Sequence, residues 1–389
     1  MIERIDTEVA IIGGGIVGGS AALFLRRLGV PVVLLEAALC GARASGVNYG
    51  GVRRQGRGLE QMPLARRAHE LWGQLPQLIG IDGEYVRSGH LKLACSEADL
   101  QALHAYREQT RGFGMNLQML DQRTLARRFG WLGEQVVGGS LCPDDGHANP
   151  RLVSPAFGRA ARALGADVRE GTAVTEAIHD GDRFVLRAGE LEVHARFLLN
   201  CAGAWAGRFA QGFGEAVPET SIHPLMMVTE PLPLFMDVSL GMQGGGIYAR
   251  QVARGNCVIG GGRAVASGPD YARPGRDATG TLMANAQRLL PALRGAQVIR
   301  FWTGVEGNMP DHNPVLGPSA TVPGLFHAFG LSGAGFQIGP AVGEALSELV
   351  VHGRSSIPID AFGIGRYTGA AHGAVPRLGP VREQTLESP

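Results

Sequence analysis

Four groups of residues in this sequence have types and spacings that could do chemistry. Gly13, Gly15 and Gly18 form GxGxxG, and Ile16 and Val17 open the helical pattern that follows. The first glycine permits a tight turn. The second lets the backbone approach a pyrophosphate, and the third lets the helix pack closely on a strand. Free N–H groups and the helix dipole then favour an anion. Glu36 ends the next apolar run, where an acid accepts hydrogen bonds from a ribose hydroxyl and disfavours a 2′-phosphate. Arg53 and Arg54, in GGVRRQGRG, offer planar forks suited to a carboxylate. Tyr248 and Arg250, in GIYARQV, stand at i and i+2 on one strand face and could bracket the same group. Far along the chain, GLSGAGFQIG carries Gly333, Ala334, Gly335, Phe336 and Gln337 between an apolar run and a helical pattern. That is the shape of a second anion-holding turn.

The elements that must position these residues can be read locally. EVAII reads as a buried parallel strand starting near residue 8, IVGGSAALFLRRLG as a helix, and VPVVLLE as a second buried strand. Residues 168–206 read as a strand, a hairpin and the buried strand FLLNCAGAW. IYARQV–ARGN–CVIGG reads as a hairpin. CVIGGGRAV begins like another dinucleotide unit, but ASGPDYARPGR follows and no helix forms, so no pyridine-nucleotide site is indicated. The fold class is α/β, with a dinucleotide-binding part and a second domain.

Composition sets the bounds. Apolar residues make up 45% and charged residues 18%, as in soluble globular proteins. A net charge of +1 gives no case for nucleic acid or an anionic membrane surface. Cys40, Cys95, Cys142, Cys201 and Cys257 are odd in number and lack CxxC spacing, which supports neither a disulfide framework nor a metal site. A reducing, cytoplasmic location fits that usage. No signal peptide fits ahead of the first strand, and no apolar run reaches the length of a transmembrane helix. Residues 366–389, rich in Gly, Pro and charge, read as a mobile tail. Lys92 is the only lysine.

GGGIVGGS with Glu36, the small-residue stretch AALCGARASGVNYGGVRRQ, NCAGAW, WTG…MPDHNPVLG and FGLSGAGF occur in this order. Together they resemble the D-amino-acid oxidase/sarcosine oxidase superfamily of flavoproteins, over about residues 6–362. DDGHANPRLV resembles its interdomain crossing. The resemblance implies FAD, a dinucleotide fold built from residues 1–83, 146–217 and 303–362, and a substrate domain of residues 84–145 and 218–302. That second domain would carry a large mixed or antiparallel sheet. The implied FAD contacts are Gly13, Gly15, Ile16, Val17, Gly18, Glu36, Ser45, Asn48, Gly50, Gly51, Val174, Ala202, Gly203, Gly304, Gly333, Ala334, Gly335, Phe336 and Gln337. The implied substrate residues are Arg53, Arg54, Tyr248, Arg250 and Gln337.

Three departures shape the functional expectation. The position of the flavin-linking cysteine of monomeric sarcosine oxidases is matched by Gly304, which implies non-covalent FAD. Their GHGFK loop is GAGFQ here, so Ala334 and the neutral Gln337 replace a histidine and a carboxylate-holding lysine. Their oxygen-promoting lysine has no match, since Lys92 stands elsewhere in sequence. The resemblance implies oxidation of a C–H next to nitrogen by hydride transfer to flavin N5, with orientation and electrostatics in place of a strong base. The substrate class is a small carboxylate-bearing amino acid, secondary amine or opine, and a dehydrogenase is expected over an oxidase. Two alternatives stay open: a 2-hydroxy acid or polyol phosphate as substrate, or a flavin subunit active only in a hetero-oligomer with its electron acceptor. Asp311 and His312 suit a turn before Pro314, His147 and Asn149 a crossover and helix cap, and Trp205 and Trp302 packing.

Overall fold

The computed structural model describes residues 2–268, 270–369 and 378. Its frame is two eight-stranded sheets. The first contains Glu3–Ile12, Val32–Leu35, Asp167–Arg169, Glu176–His179, Phe184–Ala188, Leu191–Asn200, Val315–Pro318 and Leu325–Phe329. Glu3–Ile12 lies at its centre, parallel to both Leu191–Asn200 and Val32–Leu35. The second sheet runs Val298–Thr303, Pro224–Pro231, Asn256–Arg263, Tyr248–Gln251, Ser239–Met242, His90–Ala94, Gly138–Cys142, Gln118–Asp121. All its pairings are antiparallel except that of Ser239–Met242 with His90–Ala94.

The first strand begins at Glu3, earlier than its apolar run suggests. Residues 3–8 are polar except Ile5 and none is buried, yet Glu3 pairs with Leu191 and the ladder continues to Ile12. Backbone pairing with a long neighbour extends a strand that side-chain hydrophobicity does not mark.

Helix Ile16–Arg27 buries its first ten residues between helices Pro150–Ala163 and Gly335–His352. Close backbone approach makes this possible. A Cβ on Gly343 would stand 2.6 Å from the Ala21 nitrogen, and one on Gly19 would stand 3.2 Å from the Gly158 nitrogen. A second core lies on the other sheet, where Leu91, Leu93, Leu225 and Ile259 pack with Phe129 and Leu282.

Most of the expected 366–389 tail lies outside the described residues. Its first residues are held, because Arg366 donates to the carbonyls of Phe362, Asn313 and Pro314 and to the Asp311 carboxylate. A cationic side chain with that many acceptors fixes a short helix, Gly365–Thr368, that composition alone reads as tail. Among the described residues all five cysteines are free, no group of side chains could hold a metal ion, and no helix is long and apolar enough to cross a membrane.

Candidate active site

A cavity of about 1230 Å³ is lined by residues from both sheets. This exceeds the usual range of about 300–1,000 Å³ for small-molecule sites and suits a long ligand with a second one beside it.

One end is built by the first glycine turn. Gly13 has φ +102°, and its N–H donates to Leu35 O at 2.8 Å. Gly13, Gly15, Ile16, Val17 and Glu36 all line the cavity there, with Val174, Ala202 and Gly203. The Glu36 carboxylate accepts from the N–H of Gly14 (2.6 Å) and of Ala38 (2.8 Å), which fixes it against the turn. Ser45 Oγ accepts from Ile16 N–H at 3.0 Å, capping the first turn of the helix. A Cβ on Gly15 would stand 2.9 Å from that Oγ, so only glycine leaves this cradle open. Gly18 does not line the cavity; its α-carbon packs under the Gly13 carbonyl, the close helix–strand contact expected of a third glycine.

The other end is strongly basic. Arg53, Arg57, His90, Lys92 and Tyr248 line it, with Met226, Glu306 and, from the second glycine loop, residues 330–333 and Gly335. In that loop Ser332 (φ +47°) and Gly333 (φ +81°) are left-handed. Ser332 Oγ accepts from Met309 N–H at 3.0 Å, and Gly333 N–H donates to the Glu306 carboxylate. Arg57 donates to Gly333 O at 3.3 Å. Burial, then Arg53 close by, pull its guanidinium down to about 9. Lys92 falls to about 8, through burial first and the Arg53 and Arg57 charges second. His90 is held well below its ordinary value, chiefly by burial and then by Arg53, Lys92 and Arg57. Its Nδ1 lies 3.0 Å from Gln55 Oε1. Burial raises the Glu306 carboxyl, and raises the Tyr248 phenol to about 12.

Not every expected site residue faces this space. Arg53 does, but Arg54 turns inward. Its Nη2 is 3.5 Å from Asp144 Oδ2 and its Nε 3.9 Å from Asp145 Oδ1. The fully buried Asp145 also accepts from the N–H of Arg54 and of Gln55, both at 2.9 Å, so it pins the segment and sends the two arginines opposite ways. Tyr248 lines the cavity and meets Tyr49 edge-on at 5.0 Å. Arg250 is buried beneath them, donating to Tyr49 O at 2.8 Å and lying 3.3 Å from His147 Nδ1. The expectation that it brackets a carboxylate with Tyr248 is corrected: a neighbouring backbone carbonyl takes its Nε–H. Gln337 is corrected too. Its side chain is wholly buried, with Nε2 donating to Ala65 O at 2.9 Å, because the first turn of its helix carries it toward helix Met62–Trp72. Ala334 and Gly50 also do not line the cavity, whereas Asn48, Gly51, Gly304, Gly333, Gly335 and Phe336 do.

Of the lesser candidates, His312 stands in a left-handed turn (φ +58°) and still reaches the cavity. Asn149 caps its helix by accepting from Arg151 N–H at 3.1 Å. Trp302 donates to Val47 O at 2.7 Å, but Trp205 lines the cavity rather than only packing.

Sequence reasoning missed Lys92, His90, Arg57 and Glu306. The first two were within reach. In HLKLA, Leu91 and Leu93 enter the second core, so His90 and Lys92 must share the opposite face. Glu306 carried no local signal.

Comparison with known proteins agrees with this geometry. The family model described as DAO, FAD dependent oxidoreductase, matches residues 8–349, and the chain belongs to that family. It is an FAD-binding oxidoreductase. An opine oxidase subunit from Agrobacterium tumefaciens (strain Ach5) is 30% identical over 334 residues, covering 82% of this chain and 87% of that protein. The structure of L-proline dehydrogenase from P. horikoshii superposes with TM-score 0.86 at 24% identity, over 93% of this chain and 98% of that one. Glycine oxidase from Geobacillus kaustophilus gives TM-score 0.86 at 23% identity, over 93% and 99%. At such identities the two structures speak for the fold.

Proposed function

We propose that the protein oxidises the C–N bond of a small carboxylate-bearing amine, an amino acid, secondary amine or opine, with non-covalent FAD as the immediate electron acceptor. The observation that carries this is the basic end of the cavity. Among the described residues, neither Arg53 nor Lys92 has a carboxylate within ion-pair distance. Bound FAD supplies the two-electron redox chemistry that side chains cannot.

The turn at Gly13–Gly15 and the anchored Glu36 would hold the pyrophosphate and ribose. The loop at 330–335 would face the ring. Arg53 grips the substrate carboxylate, and the Tyr248 hydroxyl, 3.5 Å from Met226 Sδ, is placed to donate beside it. Glu306, whose carboxyl is raised by burial, can accept the ammonium proton and leave the amine neutral. Cys201 lines the pyrophosphate end, and burial raises its thiol to about 12, which speaks against a thiolate link to the cofactor.

The expectation of a dehydrogenase rested on the lysine having no place near the cofactor. Lys92 in the cavity removes that ground, so the acceptor is left to experiment. Proline, sarcosine, D-amino acids, octopine-like opines and lactate would be added to the purified yellow protein without oxygen. Bleaching by an amine is expected, and air readmission then reads the acceptor. A colourless protein, or bleaching by lactate alone, would refute the proposal. The opine oxidase relative is one subunit of its enzyme, which favours one further reading, in which bleaching needs a partner chain.

A further inference from the structure

The basic end of the cavity holds more positive charge than one carboxylate needs. Arg53 Nη1 and Lys92 Nζ each lie 3.0 Å from the point where a side chain on Gly56 would begin. Gly56 has φ +79°, and Tyr106 Oη accepts its N–H at 2.9 Å, so the loop is fixed with the two cations side by side. Arg53 Nη1 also donates to Gln55 O, and Arg57 adds a third positive charge while donating to Gly333 O in the loop that would face the cofactor ring. Some nearby cations have acidic partners, whereas Arg263, which also lines the cavity, has none within ion-pair distance among the described residues. Arg54 has Asp144 and Asp145, and Arg67, beyond the cavity, has Glu344. Glu306, the one acid lining this end among the described residues, is turned to Gly333 N–H. His90 stays neutral beside them and cancels nothing.

Two like charges held together in a half-buried wall repel, and the arrangement is relieved by negative charge from a ligand or by loss of the Lys92 proton. The depressed Lys92 ammonium reports that repulsion along with its burial. Binding energy invested in this way selects a ligand that brings matching charge.

We infer that the substrate is a dianion, an amine carrying two carboxylates, with Arg53 and Lys92 together receiving the negative charge beyond what a simple amino acid supplies. This rests on the reading of the cavity as an amine-oxidising site and narrows its substrate class. A mono-carboxylate amine would leave one of the two cations unpaired in the complex, so it should bind more weakly.

The test separates the two ideas by using a ligand that cannot be oxidised. Glutarate and butyrate differ by one carboxylate and contain no nitrogen. Calorimetric titration of the FAD-loaded protein should show glutarate binding at least about tenfold tighter, equivalent to about 1.4 kcal/mol. Lys92→Met should abolish the difference, and Lys92→Arg should keep it. Should Lys92→Met fail to fold, the wild-type pH profile serves instead, with glutarate affinity falling as pH rises and Lys92 loses its proton. Equal binding of glutarate and butyrate, or a preference untouched in Lys92→Met and flat with pH, would overturn the inference. Iminodiacetate against sarcosine then reads the same preference in kcat/KM. Selective glutarate binding with no bleaching by either amine would support the dianion site and count against amine oxidation.

Discussion

Replacing Gly13 by alanine tests whether the first glycine turn holds the cofactor as its geometry implies. Gly13 has φ +102°, a backbone state that disfavours an L side chain by about 1–2 kcal/mol. The new methyl would also collide with the Cys201 carbonyl oxygen, lie 2.8 Å from its carbon and 3.1 Å from Ala202 Cα. All three atoms are backbone at the end of strand Leu191–Asn200, whose register is tied to the turn by Cys201 N–H donating to Ile12 O at 2.9 Å. No flexible side chain can yield, so the turn itself must move, at about 1–3 kcal/mol more. If it moves into the cavity, about 2–3 kcal/mol appears as lost FAD affinity, roughly 30- to 150-fold in Kd. Quenching of flavin fluorescence during titration of the apoprotein measures this directly. Gly114→Ala is the control, because Gly114 has φ +65° with nothing within 4 Å of the added carbon. It should lower the melting temperature slightly and leave FAD binding alone. A Gly13→Ala protein that folds and binds FAD within about threefold of wild type, under 1 kcal/mol, would refute the assignment of this turn to the pyrophosphate.

The two adjacent arginines should separate cleanly. Arg53→Ala should raise KM about 10-fold or more while stability changes by about 0.5 kcal/mol or less, whereas Arg54→Ala strands buried Asp145 and should destabilise by about 3 kcal/mol, read by urea titration. Gln337→Ala should lower stability by about 1–3 kcal/mol through the lost bond to Ala65 O and leave KM unchanged; a raised KM would restore it to the substrate site. Arg250→Met should likewise spare KM, since the guanidinium serves Tyr49 O, and its loss should be seen only in thermal melting. Stability should fall with acid from about pH 6.5: His147 and His69 are lowered to about 3 and about 4 when folded, burial first in each, so between those values and 6.5 the unfolded chain binds more protons and unfolding is favoured as pH drops. Melting curves across pH 7 to 4 that stay flat until the carboxylate range would contradict it.

What could be read in advance was what is local. Gly13 and Gly15 line the cavity and Gly18 abuts the Gly13 carbonyl, positions set by a few neighbouring residues. The Tyr248 hairpin and the strand–loop–helix around Gly333 were legible for the same reason, since apolar period and turn residues mark both. Which way a side chain turns was not. Arg53 and Arg54 differ by one residue, and their division depends on Asp145, which is distant in sequence and invisible to any local pattern. Gln337 matches a substrate-facing position in sequence, yet packing against helix Met62–Trp72 decides its direction. Lys92 is the reverse case. Its sequence position does not match the oxygen-promoting lysine of the resembling oxidases, while the simple alternation of HLKLA already placed it away from the core.

The segment from Asn48 to Arg57 shows why the basic end resists local reading. It leaves the loop that follows Glu36, and besides Asp145 and Tyr106 it is fixed by side-chain bonds to the second sheet. Tyr49 Oη donates to Ala249 O at 2.6 Å, and Tyr49 O accepts from Arg250. Gln55 Nε2 donates to Ser140 O at 3.1 Å while its Oε1 meets His90. Lys92 and Tyr248 share the second sheet, and Arg53 meets them because one short stretch of chain is laid across strands His90–Ala94, Gly138–Cys142 and Tyr248–Gln251. Charge placement in the cavity is thus a property of that docking. Gln55, wholly buried and outside the cavity, holds both His90 and the loop that carries Arg53. Its replacement should shift substrate preference without touching substrate, because moving the loop changes the spacing of the cations on which charge selection depends.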